Sequence, residues 1–282
     1  MENSTYIVIK IGGRPAGNIQ WIRVLLTGMI SLQKSYKPVL VHGGGDEVSQ
    51  LSKRLGLEPV FLDGIRMTTS EEMTVVDQIL AGVMNTRILR QARMTGMRAV
   101  GLSGVDGGLF TAAPLDPKNP GNRTGRVSQV DPQVIHDLCA QGYVPILSSV
   151  ADDGQGEGLN INADEAALVL SQALQARSLV YISDIPGVMK NKQVLPRLTP
   201  EEIEQEILNQ TIQGGMIPKV RSCASALKHG VTQVVIGQMT KAEDLQALIN
   251  GHLGTVIANK SYPARSTPRR QHGYKEESPI SQ

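Results

Sequence analysis

The chain is poor in aromatic residues, with two Phe, one Trp and six Tyr among 282 residues. Its core must be filled by Val, Ile, Leu, Met and Ala, which favours an α/β fold over a β-sandwich. Cysteine is scarce too. Cys139 and Cys223 stand alone without CxxC spacing, so a disulfide framework is excluded and a reducing, cytoplasmic setting is expected. No apolar run approaches the roughly 18 residues of a membrane span, so no membrane association is expected. Residues 1–10 lack the basic start and long apolar stretch of a signal peptide.

Excess charge is also missing. The formal net charge is +2, and the segment 260–282 holds Lys260, Arg265, Arg269, Arg270 and Lys275 against Glu276 and Glu277. The body therefore sits slightly on the negative side, and no nucleic-acid surface is expected. The composition of 260–282, rich in Ser, Pro, Arg and Gln, reads as a disordered basic tail. Two standard nucleotide signatures are absent as well, since neither GxxxxGK[ST] nor a complete GxGxxG fingerprint occurs. The five histidines, His42, His136, His229, His252 and His272, show no metal-ligand spacing, and no Ser-His-Asp or Cys-His pattern stands out.

What is present is a series of short β-branched runs at 6–11, 39–42, 99–102, 144–148, 179–183 and 234–237, with helical patterns between them. Nearly continuous apolar runs of this length predict strands covered on both faces. The expected fold is a three-layer αβα sandwich around a mainly parallel central sheet. Helix starts are readable. Thr69 with Glu72, and Thr199 with Pro200 and Glu202, match capping boxes. Asp131-Pro132 opens a further helix, and Asn162 caps one over 163–173 that carries Asp164 in its first turn. Segments 113–125 and 152–158 read as loops or hairpins. A soft boundary near residue 176 divides the chain into lobes 1–176 and 177–259, ahead of the tail 260–282.

Five constellations could carry chemistry. Lys10-Ile11-Gly12-Gly13 ends a strand with a cation and two glycines, which suits a phosphate. His42-Gly43-Gly44-Gly45-Asp46 again runs a strand into glycines, a backbone that something must approach closely. Asp63-Gly64-Ile65-Arg66-Met67-Thr68 offers a guanidinium fork matched to a carboxylate, unless Arg66 merely pairs with Glu71 or Glu72 at the surface. Asn160 and Asn162 alternate onto one face in extended geometry, ahead of Asp164. In Gly214-Gly215-Met216-Ile217-Pro218-Lys219 two glycines precede a helix that Pro218 opens, which puts a lysine in its first turn, where the dipole disfavours a cation unless an anion is bound.

Taken in order with Gly101-Leu102-Ser103-Gly104-Val105-Asp106-Gly107 and Ser183-Asp184-Ile185-Pro186-Gly187-Val188, these motifs resemble the amino acid kinase family. Within it they are similar to the N-acetylglutamate kinases over roughly residues 6–258. The resemblance implies ATP-dependent phosphorylation of the γ-carboxylate of N-acetyl-L-glutamate, with Mg²⁺ on the ATP phosphates and no dedicated protein metal site. It implies Lys10 and Lys219 on the transferring phosphoryl group, held by Asp164. Gly44, Gly45, Arg66 and Asn160 would bind the small acidic amino-acid derivative. Gly12 and Gly13 would approach the phosphates, and Asp184, Ile185, Pro186, Gly187, Val188 and Met189 with Thr211, Ile212 and Gln213 would form the nucleotide loop. The family's arginine-inhibited hexamers carry an extra N-terminal helix, so a homodimer without arginine feedback is expected. Arg14-Pro15 departs from the family's small or apolar residues there. The rival readings are a kinase of aminoadipate or glutamate bound to an acidic amino-group carrier protein, and a catalytically silent ligand-binding regulator on the same fold.

Overall fold

A computed structural model describes residues 5–12, 17–62, 64–119 and 121–260. Strand β1 (Tyr6–Ile11) lies near the middle of an eight-stranded sheet. It pairs in parallel with β2 (Lys37–His42) on one side and with Ser178–Ile182 on the other. Val144–Ser148 and Ala99–Leu102 continue the parallel order beyond β2, and Gln233–Gly237 continues it beyond Ser178–Ile182. Thr255–Ile257 then runs antiparallel and carries Arg197–Leu198 at the edge. The six strands expected from apolar runs all form, each within two residues of its expected bounds.

Side-chain alternation along β1 builds two separate cores. Ile7, Ile9 and Ile11 point to one face, where they meet Ile22, Leu25, Leu26 and Met29 of the helix Ile19–Leu32. Tyr6 and Val8 point to the other, toward Leu170 of the helix Ala163–Ala173 and Val220 of the helix Met216–Lys228. The result is a three-layer αβα sandwich. Lys10 shares the parity of Tyr6 and Val8, so it emerges on the face of those two helices. A one-residue slip would drive the lysine into the isoleucine core and expose side chains whose burial contributes about 1.5–3 kcal/mol each.

The segments expected as loops or hairpins belong to a small four-stranded closed sheet of Phe110–Pro114, Thr124–Val130, Val150–Asp152 and Gly158–Ile161. Pro114 pairs with Gly125 and Asp152 with Gly158, so both hairpins form. Three details differ from the sequence reading. Only half of the capping box at Thr69 forms: its hydroxyl accepts from Glu72 N, but the Glu72 carboxylate is drawn off to Arg66 and Ser52. The Lys219 helix starts at Met216, so Pro218 lies inside the first turn, where its missing N–H is harmless. A π-helical segment, Asp77–Met84, interrupts the run between Ser70–Val76 and Asn85–Met94. Among the described residues no helix is long and apolar enough to cross a membrane.

Candidate functional site

The carboxyl ends of the parallel strands open onto a cleft of about 240 Å³, the place where open α/β sheets take ligands. Lys10, Gly12, Gly44, Gly45, Arg66, Asn160, Asn162 and Asp164 all line it. The sheet delivers the first four through β1 and β2, whose ends are in register at Ile11 and His42. The closed sheet delivers Asn160, and Asn162 caps the next helix by accepting from Asp164 N at 2.8 Å.

Asp164 joins the two lysines. Lys10 Nζ lies 2.7 Å from Asp164 Oδ1 and Lys219 Nζ 3.3 Å from Oδ2. Burial by itself would raise the Asp164 carboxyl, but the two ammonium groups outweigh it and hold the acid below the usual carboxylate range. The trio keeps one net positive charge at the mouth of the cleft. Tyr181, buried in its strand, donates to the Asp164 carbonyl at 3.1 Å and lies beneath Lys219, whose Nζ is 5.1 Å from the ring centre. Gly12 has no Cβ where Lys10 passes: one would lie 2.5 Å from the ammonium.

Arg66 is buried rather than at the surface. Its Nη1 donates to Glu72 Oε1 at 2.6 Å, and its Nη2 donates to Gly45 O at 2.9 Å and to Ser49 Oγ. The Glu72 pairing does form, yet it holds the guanidinium against the cleft wall. Phe61 stacks on it at 4.8 Å. Asn160 Nδ2 donates to Thr68 Oγ1, and Thr124 Oγ1 joins Arg66 O to Thr68 N. Thr124 and Tyr181 escaped the sequence reading, because a threonine in a strand and a tyrosine in an apolar run carry no distinguishing pattern.

The segments 184–189 and 211–213 lie outside this cleft. They neighbour one another through Glu206, whose carboxylate pairs with Lys190 Nζ at 2.6 Å and hydrogen-bonds Thr211. Asp184, Ile185, Pro186 and Met189 are exposed, whereas Val188 and Ile212 are core side chains. Gly187 approaches its neighbours so closely that a Cβ would lie 2.7 Å from Thr255 Oγ1. Gly13, Arg14 and Asp63 lie outside the described residues, as does the tail from 261 onward. Among the described residues no cluster of three or more His, Cys, Asp or Glu could hold a metal.

A three-layer α/β fold that brings a strand-end lysine and a helix-borne lysine onto one carboxylate defines a phosphotransferase-like α/β protein. The chain belongs to the amino acid kinase family, whose model matches residues 5–238. It is 38% identical to the acetylglutamate kinase of Geobacillus sp. (strain WCH70) over 90% of this chain and 97% of that one. It is 39% identical to the acetylglutamate kinase of Synechococcus sp. (strain RCC307), over 78% of this chain and 76% of that one. The crystal structure of smu.665 from Streptococcus mutans UA159 superposes with a TM-score of 0.76 at 28% identity, covering 90% of this chain and 99% of that one.

Proposed function

We propose that the protein transfers the γ-phosphoryl group of ATP to the γ-carboxylate of N-acetyl-L-glutamate, giving an acyl phosphate and ADP. The observation that carries this reading is the Lys10-Asp164-Lys219 bridge at one end of a cleft whose other end holds the buried Arg66 fork. Relatives sharing 38% and 39% of their residues with it bear the acetylglutamate kinase name. Phosphoryl transfer needs positioning and cationic stabilisation more than covalent catalysis. The substrate carboxylate already bears its charge, so no general base is needed.

In this reading Lys10 and Lys219 neutralise charge on the phosphoryl group as it passes, and Asp164 sets their spacing. Gly44, Gly45, Arg66 and Asn160 hold the acidic substrate, with Arg66 on its α-carboxylate. Gly12 and Gly13 approach the phosphates, while 184–189 and 211–213 enclose the nucleotide. The lone lysine charge in excess and the absent Cβ at Gly12 suit a polyphosphate. Mg²⁺ accompanies ATP on the phosphate oxygens, where it neutralises charge and needs no protein cage. The lobe 1–176 serves the acidic substrate and dimerisation, and 177–259 the nucleotide. Val83 and Met94, exposed along the helices 77–94, support a homodimer; gel filtration giving a hexamer would overturn it. The free thiols of Cys139 and Cys223 suit a reducing cytoplasm.

A hydroxamate assay for acyl phosphate tests the reaction, with ATP and Mg²⁺ on N-acetylglutamate, N-acetylaminoadipate, aspartate and glutamate. N-acetylglutamate is expected to give the strongest signal, and silence on all four favours the carrier-bound substrate. Lys10→Met is expected to lower kcat about 10²–10³-fold with the fold intact by circular dichroism. A near-normal kcat in that variant sinks the mechanism.

A further inference from the structure

Behind the glycine loop runs a buried hydrogen-bond chain that the proposed chemistry does not use. His42 ends β2 and is wholly buried, and both its ring nitrogens have partners. Nδ1 lies 3.0 Å from Gly43 O, and Nε2 lies 3.2 Å from Asn85 Nδ2. A carbonyl oxygen only accepts, so Nδ1 carries the hydrogen. An amide NH₂ only donates, so Nε2 is bare. One neutral tautomer satisfies both contacts.

Asn85 is anchored in turn. Of its two amide hydrogens one faces His42 Nε2, and the other is shared between Ile146 O at 2.9 Å and Leu102 O at 3.2 Å, so it is tied to the middle of the strand Val144–Ser148 and the last residue of Ala99–Leu102. Its Oδ1 occupies the space that a Cβ at Gly101 would fill. The amide end is thereby oriented, since either carbonyl would repel the oxygen end.

This chain bears on the cleft through the planarity of one peptide. The Gly43 carbonyl and the Gly44 N–H share a plane and point in opposite directions. With the carbonyl oxygen held toward the imidazole, the Gly44 N–H faces the other way, where Gly43 and Gly44 line the cleft. Gly43 N donates to Ile11 O at 3.2 Å, which places this peptide beside the Lys10 and Gly12 end. The next carbonyl, Gly44 O, accepts from Val48 N at 3.0 Å, and Gly45 O already belongs to Arg66.

We infer that His42, held in one tautomer by Asn85, is a positioning residue, which locks the 43–44 peptide so that the Gly44 N–H donates to the oxygen gaining charge during phosphoryl transfer. This rests on the site reading given above. A donor fixed in advance stabilises the transition state without reorganising. A pair that only satisfied buried polar groups would affect stability and leave turnover alone.

Two substitutions separate these cases. His42→Asn places an amide donor near the Nδ1 position, which keeps the Gly43 contact and gives up Asn85. His42→Gln places its amide near the Nε2 position, which keeps Asn85 and gives up Gly43. Both remove a buried imidazole, so both lower the melting temperature. In the Gln variant kcat is expected to fall about tenfold or more with KM for N-acetylglutamate within about threefold, while the Asn variant stays within about threefold in kcat. Equal kcat values, or a loss confined to KM, overturn the inference.

A second readout needs neither variant nor turnover. Imidazole ¹⁵N shifts of His42 in the wild-type protein are expected to show Nδ1 protonated and Nε2 bare. The opposite tautomer overturns the inference and leaves the kinase reading standing, whereas a wild-type protein inactive on N-acetylglutamate defeats the kinase reading and leaves the tautomer measurable.

Discussion

Gly12 shows how one residue can be set by a neighbour's charge rather than by its own backbone. Its Cβ position lies 2.5 Å from the Lys10 ammonium, the far end of a flexible chain. Gly12→Ala is therefore expected to displace the ammonium and lower kcat about tenfold or more, because small misplacements of a reacting group are costly. The melting temperature should hardly move; a large drop with normal kcat would contradict this account. Arg66 behaves differently, because its partner Glu72 is buried too. Arg66→Ala strands that carboxylate, which costs about 3–5 kcal/mol, so its loss of activity would mix binding with unfolding. Arg66→Lys keeps the charge and loses the fork. It is expected to raise KM for N-acetylglutamate about tenfold with a smaller change in kcat, measured by initial rates. The sequence made the types of these residues legible, as glycines and cations at strand ends. It could not show that Glu72 abandons its cap for Arg66, since that choice depends on Ser52 and Gly45 arriving from another element.

Among the elements, the helix Ala163–Ala173 couples folding to the site. Asn162 caps it and holds the backbone at Asp164. Asn162→Ala is expected to cost about 1 kcal/mol of stability, as cap losses do, and to lower kcat as Asp164 loosens. Thr199→Ala removes the capping box of Pro200–Leu208 at a similar stability cost, with kcat unchanged. Matched denaturation curves and assays check the contrast, and equal kcat losses in both would refute it. The capping signals and six long apolar strands were legible because they are local. At that end of the sheet the strands Arg197–Leu198 and Thr255–Ile257 have two and three residues, too few for a pattern. The π-helical segment has no local signal either, yet it turns Leu80 and Met84 toward Gly44, where a Cβ would lie 2.9 and 3.0 Å from their side chains.

At the scale of the whole molecule, stability should depend on pH through buried groups. Burial pushes the His42 imidazole down to about 4, against the opposing pull of the Gly43 carbonyl. An unfolded histidine takes its proton near 6.5. Between those values the unfolded chain binds more protons, so stability falls as pH falls, by on the order of 3 kcal/mol. Asp164 continues the trend lower down, since its depressed carboxyl stabilises the fold above the unfolded value near 3.9 and loses that effect as pH falls further. Melting temperatures should drop through this window, and the slope between about 6.5 and 4 should flatten in His42→Asn. A parallel curve for that variant would rule out His42 as the source.

The amino-acid order by itself determined the parallel sheet, the helix starts and the identity of the glycine loops, because apolar periodicity and caps act over a few residues. Only the tertiary structure decided that Lys10 and Lys219, more than 200 positions apart in the chain, meet on opposite oxygens of Asp164. Only it decided that Thr124 lines the cleft and that Tyr181 and Asn85 stand behind it. Contacts of that kind depend on register, helix rotation and burial across several elements, and no single stretch of sequence contains them.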